Sequence, residues 1–195
     1  MAFRVQKGRF RGRPIPMPPD IRGQSHFTPG IVKEALFQLI ENEVGDPEGI
    51  PFYDMCSGSG QIAIEALSRG FAPVHAVELA PERFAALLSH VKEENYDIRC
   101  HRKDMRRMAH LIAAEATPVV FIDLPYSFWE PIPAILGRFL AELGPETADF
   151  RPVIFVQGPE AYPGGQNHTY GGTVLTRIDP LTGIQKTEQP QGKST

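Results

Sequence analysis

Cysteine is scarce in this chain. Cys56 and Cys100 are the only two in 195 residues, too few for a disulfide framework, and the six histidines show no metal-ligand spacing with them. No metal site is therefore expected. Long apolar runs are missing as well. No stretch approaches the ~18 consecutive apolar residues of a membrane span. The opening MAFRVQKGRFRGRP carries charge with no apolar h-region behind it, which argues against a secretory signal. The expectation is a reducing compartment, the cytoplasm, with no membrane partner. Disorder is excluded by the 42% apolar share and 12 Phe. A chain of this length buries roughly two-thirds to three-quarters of its unfolded surface, so one domain needs no metal or disulfide staple.

The net charge of −3 is spread unevenly. Residues 1–22 hold six basic side chains (Arg4, Lys7, Arg9, Arg11, Arg13, Arg22) against one acid, Asp20, whereas the other 173 residues hold 14 basic and 22 acidic ones. A basic arm of this kind is a candidate footprint for a polyanion, and a solvated terminus is the plainer alternative. Arginine outnumbers lysine there five to one, which suits bidentate phosphate contact. Phe3 and Phe10 interleave with the charges, and Gly8 and Gly12 let a backbone approach. A second cluster, Arg99, Arg102, Lys103, Arg106 and Arg107, either extends the basic surface or marks a charged helix start.

Proline-rich residues 14–20 read as an extended linker. Thr28 and Pro29 read as N-cap and N1 of a helix whose apolar face holds Ile31, Ala35, Leu36 and Leu39. Apolar strands are expected at 50–55, 73–79, 98–105, 117–123 and 152–159. Helices fall between them, one after CSGSG and one opened by Pro81, with Phe84, Leu87, Leu88 and Val91 as the stripe of the latter. Alternation in steps of about 25 residues is the pattern of an α/β, doubly wound, mostly parallel sheet. The segment GGTVLTRIDPLTGIQKTEQ reads as an antiparallel C-terminal hairpin turning on Pro180–Gly183. The expected organisation is a basic arm and linker (1–22), one domain (23–188) and a disordered tail (189–195).

Ligands of open α/β sheets bind outside the carboxyl ends of the strands. Four acids, Asp54, Glu78, Asp104 and Asp123, fall at four such ends. The loop after Asp54, with Ser57, Gly58, Ser59 and Gly60, leads into a helix N-terminus. No third glycine follows at dinucleotide spacing, and Asp54 puts negative charge where a pyrophosphate would lie. A cationic ligand without phosphate fits instead. S-adenosylmethionine has an ammonium, a sulfonium and a free ribose diol. Glu78, 24 residues after Asp54, is placed to accept both ribose hydroxyls, with Leu79 beside it, and Asp104 to read the adenine amino group.

The second site is Asp123-Leu124-Pro125-Tyr126. Asp123 offers carboxylate acceptors, Leu124 a main-chain carbonyl that Pro125 orients, and Tyr126 a flat ring. That set holds the hydrogens of a purine exocyclic amine, draws its lone pair out of conjugation, and stacks the base for about 1–3 kcal/mol. The stacking offsets much of the cost of base extrusion. Phe128 and Trp129 either wall this pocket or belong to the core.

KGRFRGRPIP, TPGIVKEALFQLI, DMCSGSGQIAIEALSRGFAPVHAVEL, FIDLPY and YGGTVL occur in the order seen in the RsmD family, which the chain resembles over nearly its whole length. These are bacterial 16S rRNA guanine-N2 methyltransferases. The resemblance implies a Rossmann-like class I methyltransferase fold using S-adenosylmethionine. It implies Asp54, Ser57, Gly58, Ser59, Gly60, Glu78 and Leu79 at the cofactor, Asp104 and Met105 flanking the adenine, and Thr28 at the methionine carboxylate. Asp123, Leu124, Pro125 and Tyr126 would then form the guanine-amino site. Three departures stand out: His26-Phe27-Thr28-Pro29-Gly30-Ile31 replaces the usual R-P-T-x-D-R, Leu124 replaces the first proline of D-P-P, and Gln157-Gly158 lacks the acid that often follows the fifth strand.

The leading expectation is therefore a monomeric rRNA methyltransferase acting on 16S rRNA in a small ribosomal subunit or its assembly intermediate. The alternatives are an adenine-N6 methyltransferase on DNA or RNA, since the chemistry of D-x-P-Y serves both amines, and a non-catalytic rRNA-binding assembly factor.

Overall fold

The structure, a computed structural model, describes residues 3–17, 28–125 and 132–178. A short antiparallel ladder of β1 (Phe3–Arg4) and β2 (Pro14–Ile15) precedes helix α1 (Gly30–Val44). Then come β3 (Phe52–Met55), α2 (Gln61–Arg69), β4 (Val74–Val77), α3 (Pro81–Glu93) and β5 (Ile98–His101). A 3-10 turn at Met105–Met108 runs into α4 (Ala109–Ile112). β6 (Val119–Asp123), α5 (Ile132–Leu143), β7 (Val153–Gly158), β8 (Gln166–Tyr170) and β9 (Thr173–Ile178) complete the described chain.

The main sheet runs β5-β4-β3-β6-β7-β9-β8. Its first five strands are parallel, and β8 and β9 are antiparallel. The chain winds outward from β3 through β4 to β5, then returns to β6 on the other side. The crevice between the ends of β3 and β6 is thus the switch point where such sheets bind ligands.

Side chains alternate across the strands, and two cores result. Phe52, Val74, Ala76, Val119, Phe121, Val153 and Phe155 face the layer of α1, α2 and α3. Tyr53, Met55, Val77, Val120, Ile122, Ile154 and Val156 face α4 and α5. Buried on both faces, the strands read as unbroken apolar runs rather than as alternation, which makes them legible in the sequence. By the same parity Asp54, Asp123 and Gln157 lie on the α1–α3 face, each at the carboxyl end of its strand.

The basic arm folds back onto this layer. Gln6 and Lys7 donate their backbone N–H groups to the Glu65 carboxylate of α2 at 2.8 and 2.9 Å. Lys33 and Arg69 pair with the same carboxylate at 2.9 and 3.0 Å, and all three side chains are buried. Burial pulls the Lys33 ammonium below its ordinary pKa, with Glu65 opposing the shift. Gly8 (φ +82°) lies against the end of α2, where a Cβ would sit 1.8 Å from the Ser68 carbonyl oxygen. The arm leaves every residue of α2 buried.

Two sequence expectations are corrected. Thr28 does not cap α1: Pro29 occupies the N-cap and makes no side-chain cap bond, while Thr28 points elsewhere. The buried stripe of α1 is Val32, Leu36, Phe37 and Ile40, and Ile31 is exposed, because the face turned to the sheet runs through Val32 and Leu36 rather than through Ile31 and Ala35. The C-terminal hairpin pairs β8 with β9 around Gly171 (φ +60°) and Gly172, so Thr173–Ile178 is its second strand. The turn expected at Pro180–Gly183 and the tail at 189–195 lie outside the described residues.

Candidate active site

The loop between β3 and α2 is built by short-range bonds. Cys56 and Ser57 both donate their N–H to the Val77 carbonyl of β4, at 2.9 and 2.8 Å, and Gly60 donates to Ser57 at 2.8 Å. Cys56 has φ +73°, a conformation that costs a non-glycine residue on the order of 1–3 kcal/mol and gathers at functional sites. Gly60 (φ +80°) opens α2, and a Cβ there would meet Leu87 of α3 at 2.6 Å. Asp54 holds the turn: its Oδ2 accepts from Ser57 Oγ at 2.7 Å and from the Ala63 N–H at 3.0 Å.

Glu78, one residue past β4, accepts from the Gly58 N–H on Oε2 at 3.0 Å and from the Ala80 N–H on Oε1 at 2.8 Å. Each oxygen keeps a further lone pair. Asp104 caps the 3-10 turn and forms an ion pair with Arg106 at 2.5 Å. That hydrogen-bonded pairing holds the Asp104 carboxyl below the usual carboxylate range.

Asp123, at the end of β6, accepts on Oδ2 from Gln157 Nε2 at 3.2 Å and from Thr28 Oγ1 at 3.5 Å. Thr28 is buried, and its carbonyl accepts from Gln61 Nε2 at 3.1 Å, which ties the entry of α1 to the start of α2. Burial pushes the Asp54 and Asp123 carboxyls up to about 7. Asp54 raises Asp123 further, and the Thr28 hydroxyl opposes it. Among the described residues, neither acid has an ion-pair partner.

These elements enclose a cavity of about 520 Å³, within the roughly 300–1,000 Å³ of small-molecule sites. Thr28, Asp54, Ser57, Gly58, Ser59, Glu78, Leu79, Asp104, Met105, Asp123, Leu124 and Pro125 all line it. Gly60 shapes the loop from behind. Leu79 is 61% exposed, an apolar flap on the rim. Tyr126, Phe128 and Trp129 lie outside the described residues. Sequence reasoning assigned no site role to Gln61, Arg83 and Lys103, which line the cavity, or to Gln157, which bonds Asp123.

The arm's basic side chains stand elsewhere. Arg4 donates to the Gly12 carbonyl at 2.8 Å, Lys7 pairs with Glu41 at 2.9 Å, and Arg13 pairs with Glu94 at 3.3 Å. Arg9 and Arg13 lie over the Phe10 ring at 4.6 and 4.9 Å, and Arg11 is exposed. Arg22 falls outside the described residues. The arm's tip touches Ser68 near the far end of α2, and Arg13 reaches Glu94 beyond the far end of α3. Both helices begin at the cavity, so the tip sits about 10 Å or more from it, at 1.5 Å rise per residue.

Comparisons with known proteins bear on the chain. A family model described as conserved hypothetical protein 95 matches residues 3–142. A Bacillus subtilis (strain 168) protein named "Putative rRNA methyltransferase YlbH" is 31% identical over 129 residues, 64% of this chain and 67% of that protein. Among solved structures, a hypothetical protein of Thermus thermophilus matches with a TM-score of 0.72 at 24% identity, covering 91% of this chain and 99% of the other. An RNA methyltransferase from Salinibacter ruber, in complex with S-adenosyl-L-homocysteine, matches at a TM-score of 0.57 and 18% identity, over 87% of this chain and 100% of its own. The two structural likenesses establish the doubly wound fold with its antiparallel end.

Proposed function

The chain belongs to the conserved hypothetical protein 95 family, the RsmD family, and from that premise we propose that it is an S-adenosylmethionine-dependent rRNA methyltransferase whose target is the N2 amino group of a guanine in 16S rRNA. The carrying observation is the acidic cavity. Asp54, Glu78 and Asp123 end three adjacent strand positions around one cavity, and two of them are raised to about 7 by burial. Carboxylates at those strand ends are mismatched to a pyrophosphate and suited to a ligand with positive charge and a diol. The residues present fit S-adenosylmethionine. The spare lone pairs of Glu78 suit a ribose diol, and the exposed Leu79 and the buried Met105 offer apolar faces to an adenine.

When bound, the cofactor supplies a sulfonium methyl group for transfer. The chain's own residues do the rest. Asp54 keeps the loop closed through Ser57 and Ala63, and Glu78 fixes the loop to the end of β4. Asp123 and the Leu124 carbonyl accept the hydrogens of the substrate amine and turn its lone pair toward the methyl. Tyr126 stacks the base, and the proton lost on methylation passes to Asp123 or to water. Deprotonation follows nitrogen alkylation, so no strong base is required. The arm, about a helix length from the cavity, is an anchor for phosphates distant from the target nucleotide.

The test is transfer of tritiated methyl onto small-subunit particles lacking the modification, followed by nucleoside analysis. Label in N2-methylguanosine supports the reading. Label in N6-methyladenosine points to the adenine alternative, and no transfer onto particles or naked RNA points to a binding factor.

A further inference from the structure

We infer that Gln157 is a positioning residue for Asp123, clamping carboxylate oxygen Oδ2 so that Oδ1 is the oxygen left to receive a hydrogen from the substrate amine. The inference rests on the proposed role of Asp123 and adds a residue to it. Asp123 and Gln157 are register partners on adjacent parallel strands, so their side chains stand side by side on one face of the sheet. On β7 that face otherwise holds Val153 and Phe155, and the period-two pattern would put a third apolar side chain at 157. An amide stands there instead, 2% exposed, with Nε2 3.2 Å from Asp123 Oδ2. An ionised carboxylate only accepts, so the nitrogen end faces it. Among the described residues, Gln157 Oε1 is buried without a hydrogen-bond partner. Burying an amide with its carbonyl unpaired is unfavourable for stability, and such exceptions gather where a side chain serves a site. Thr28 Oγ1 converges on the same oxygen at 3.5 Å, whereas no described residue bonds Oδ1.

Among the described residues, few charged or titratable groups act on Asp123. Asp54 faces it from β3, and the Cys56 thiol lies within the field of Asp123, Asp54, Glu78 and Asp104. Thr28 and Gln157 are neutral donors. With Asp54 opposing ionisation, both donors favour the charged, acceptor form of Asp123.

The experiment compares the full-length chain with Gln157→Leu, Gln157→Glu and Asp123→Ala. The readouts are cofactor affinity by calorimetry and methyl-transfer kcat against pH on saturating RNA. Gln157→Leu should leave cofactor affinity within about threefold while moving the acid limb of kcat up by about one pH unit, since a donor to the charged form is gone. Gln157→Glu keeps size and shape, and its carboxyl shares one proton with Asp123. It should retain activity at low pH and gain an alkaline fall in kcat that the wild type lacks. An unmoved acid limb in Gln157→Leu, or a loss that is equal at every pH, overturns the inference. Asp123→Ala separates the two failures. If it turns over normally, the role of Asp123 itself is wrong and the inference falls with it. If it is inactive and the Gln157 variants have wild-type profiles, only the inference falls.

Discussion

The Gly58 N–H points at the Glu78 carboxylate, 3.0 Å from Oε2, so the glycine loop after β3 and the acid after β4 form one bonded unit. Hydrogen bonds to a charged group contribute about 1.5–3 kcal/mol, or roughly 10- to 150-fold in affinity. Glu78→Ala should therefore weaken S-adenosylmethionine binding at least tenfold in titration calorimetry. An unchanged affinity would remove Glu78 from the ribose.

Asp123→Ala should separate turnover from binding. Its Oδ2 is occupied by Gln157 and Thr28, and the carboxylate stands at the end of β6 beside Leu124. Loss of a preorganised acceptor costs on the order of 10²–10³ in kcat, while the cofactor's calorimetric affinity should change little. A variant with wild-type kcat would show that the amine is oriented by other groups.

The raised Asp123 carboxyl makes stability depend on pH. Its folded pKa of about 7 lies above the unfolded value near 3.9, so the folded state binds more protons between those limits. Stability therefore falls as pH rises through that window. Asp123→Asn should raise the melting temperature by several degrees at pH 8, where the buried charge costs at most about 4 kcal/mol, and leave it nearly unchanged at pH 4. An equal shift at both pH values would contradict the assignment.

The same charge logic predicts proton release on cofactor binding. A sulfonium beside Asp54 and Asp123 favours their ionised forms, so near pH 7 each should give up as much as about half a proton. Calorimetry in buffers of different ionisation enthalpy reads this directly. S-adenosylhomocysteine, whose thioether is uncharged, should release fewer protons. Equal release by the two ligands would place the sulfonium away from these carboxylates.

The arm yields a prediction about RNA alone. Arg9 and Arg11 are exposed and have no ion pair among the described residues. Replacing both by Ala should flatten the salt dependence of RNA binding by about 0.7–0.9 log unit for each phosphate no longer held, with cofactor affinity intact. Glu65→Ala should act differently. It strips the hub of a buried charge network and should cost about 3–5 kcal/mol in stability. An unaltered salt slope in the arginine variant would assign RNA binding to another surface.

The strands and the cofactor loop can be read from the chain because their signals are local. Val119 to Asp123 is apolar on both faces until its last residue, and Asp54 to Gly60 places acid, hydroxyls and glycines within seven positions. What escapes the sequence is set by distant partners. Thr28 resembles a helix cap because Thr before Pro is a common one; its hydroxyl instead turns to Asp123, 95 residues away. α2 carries Glu65, Ser68 and Arg69 under the folded-back arm, and only the fold reveals the charge network there. Gln157 stands out in the sequence only as a missing acid, and its meaning comes from strand register with Asp123.

A crystal structure of the chain soaked with S-adenosylmethionine tests the central claim most directly. The ribose hydroxyls should lie on Glu78 and the sulfonium methyl should face the end of β6 at Asp123. Electron density for the ligand outside this cavity, or a ribose making no contact with Glu78, would contradict it.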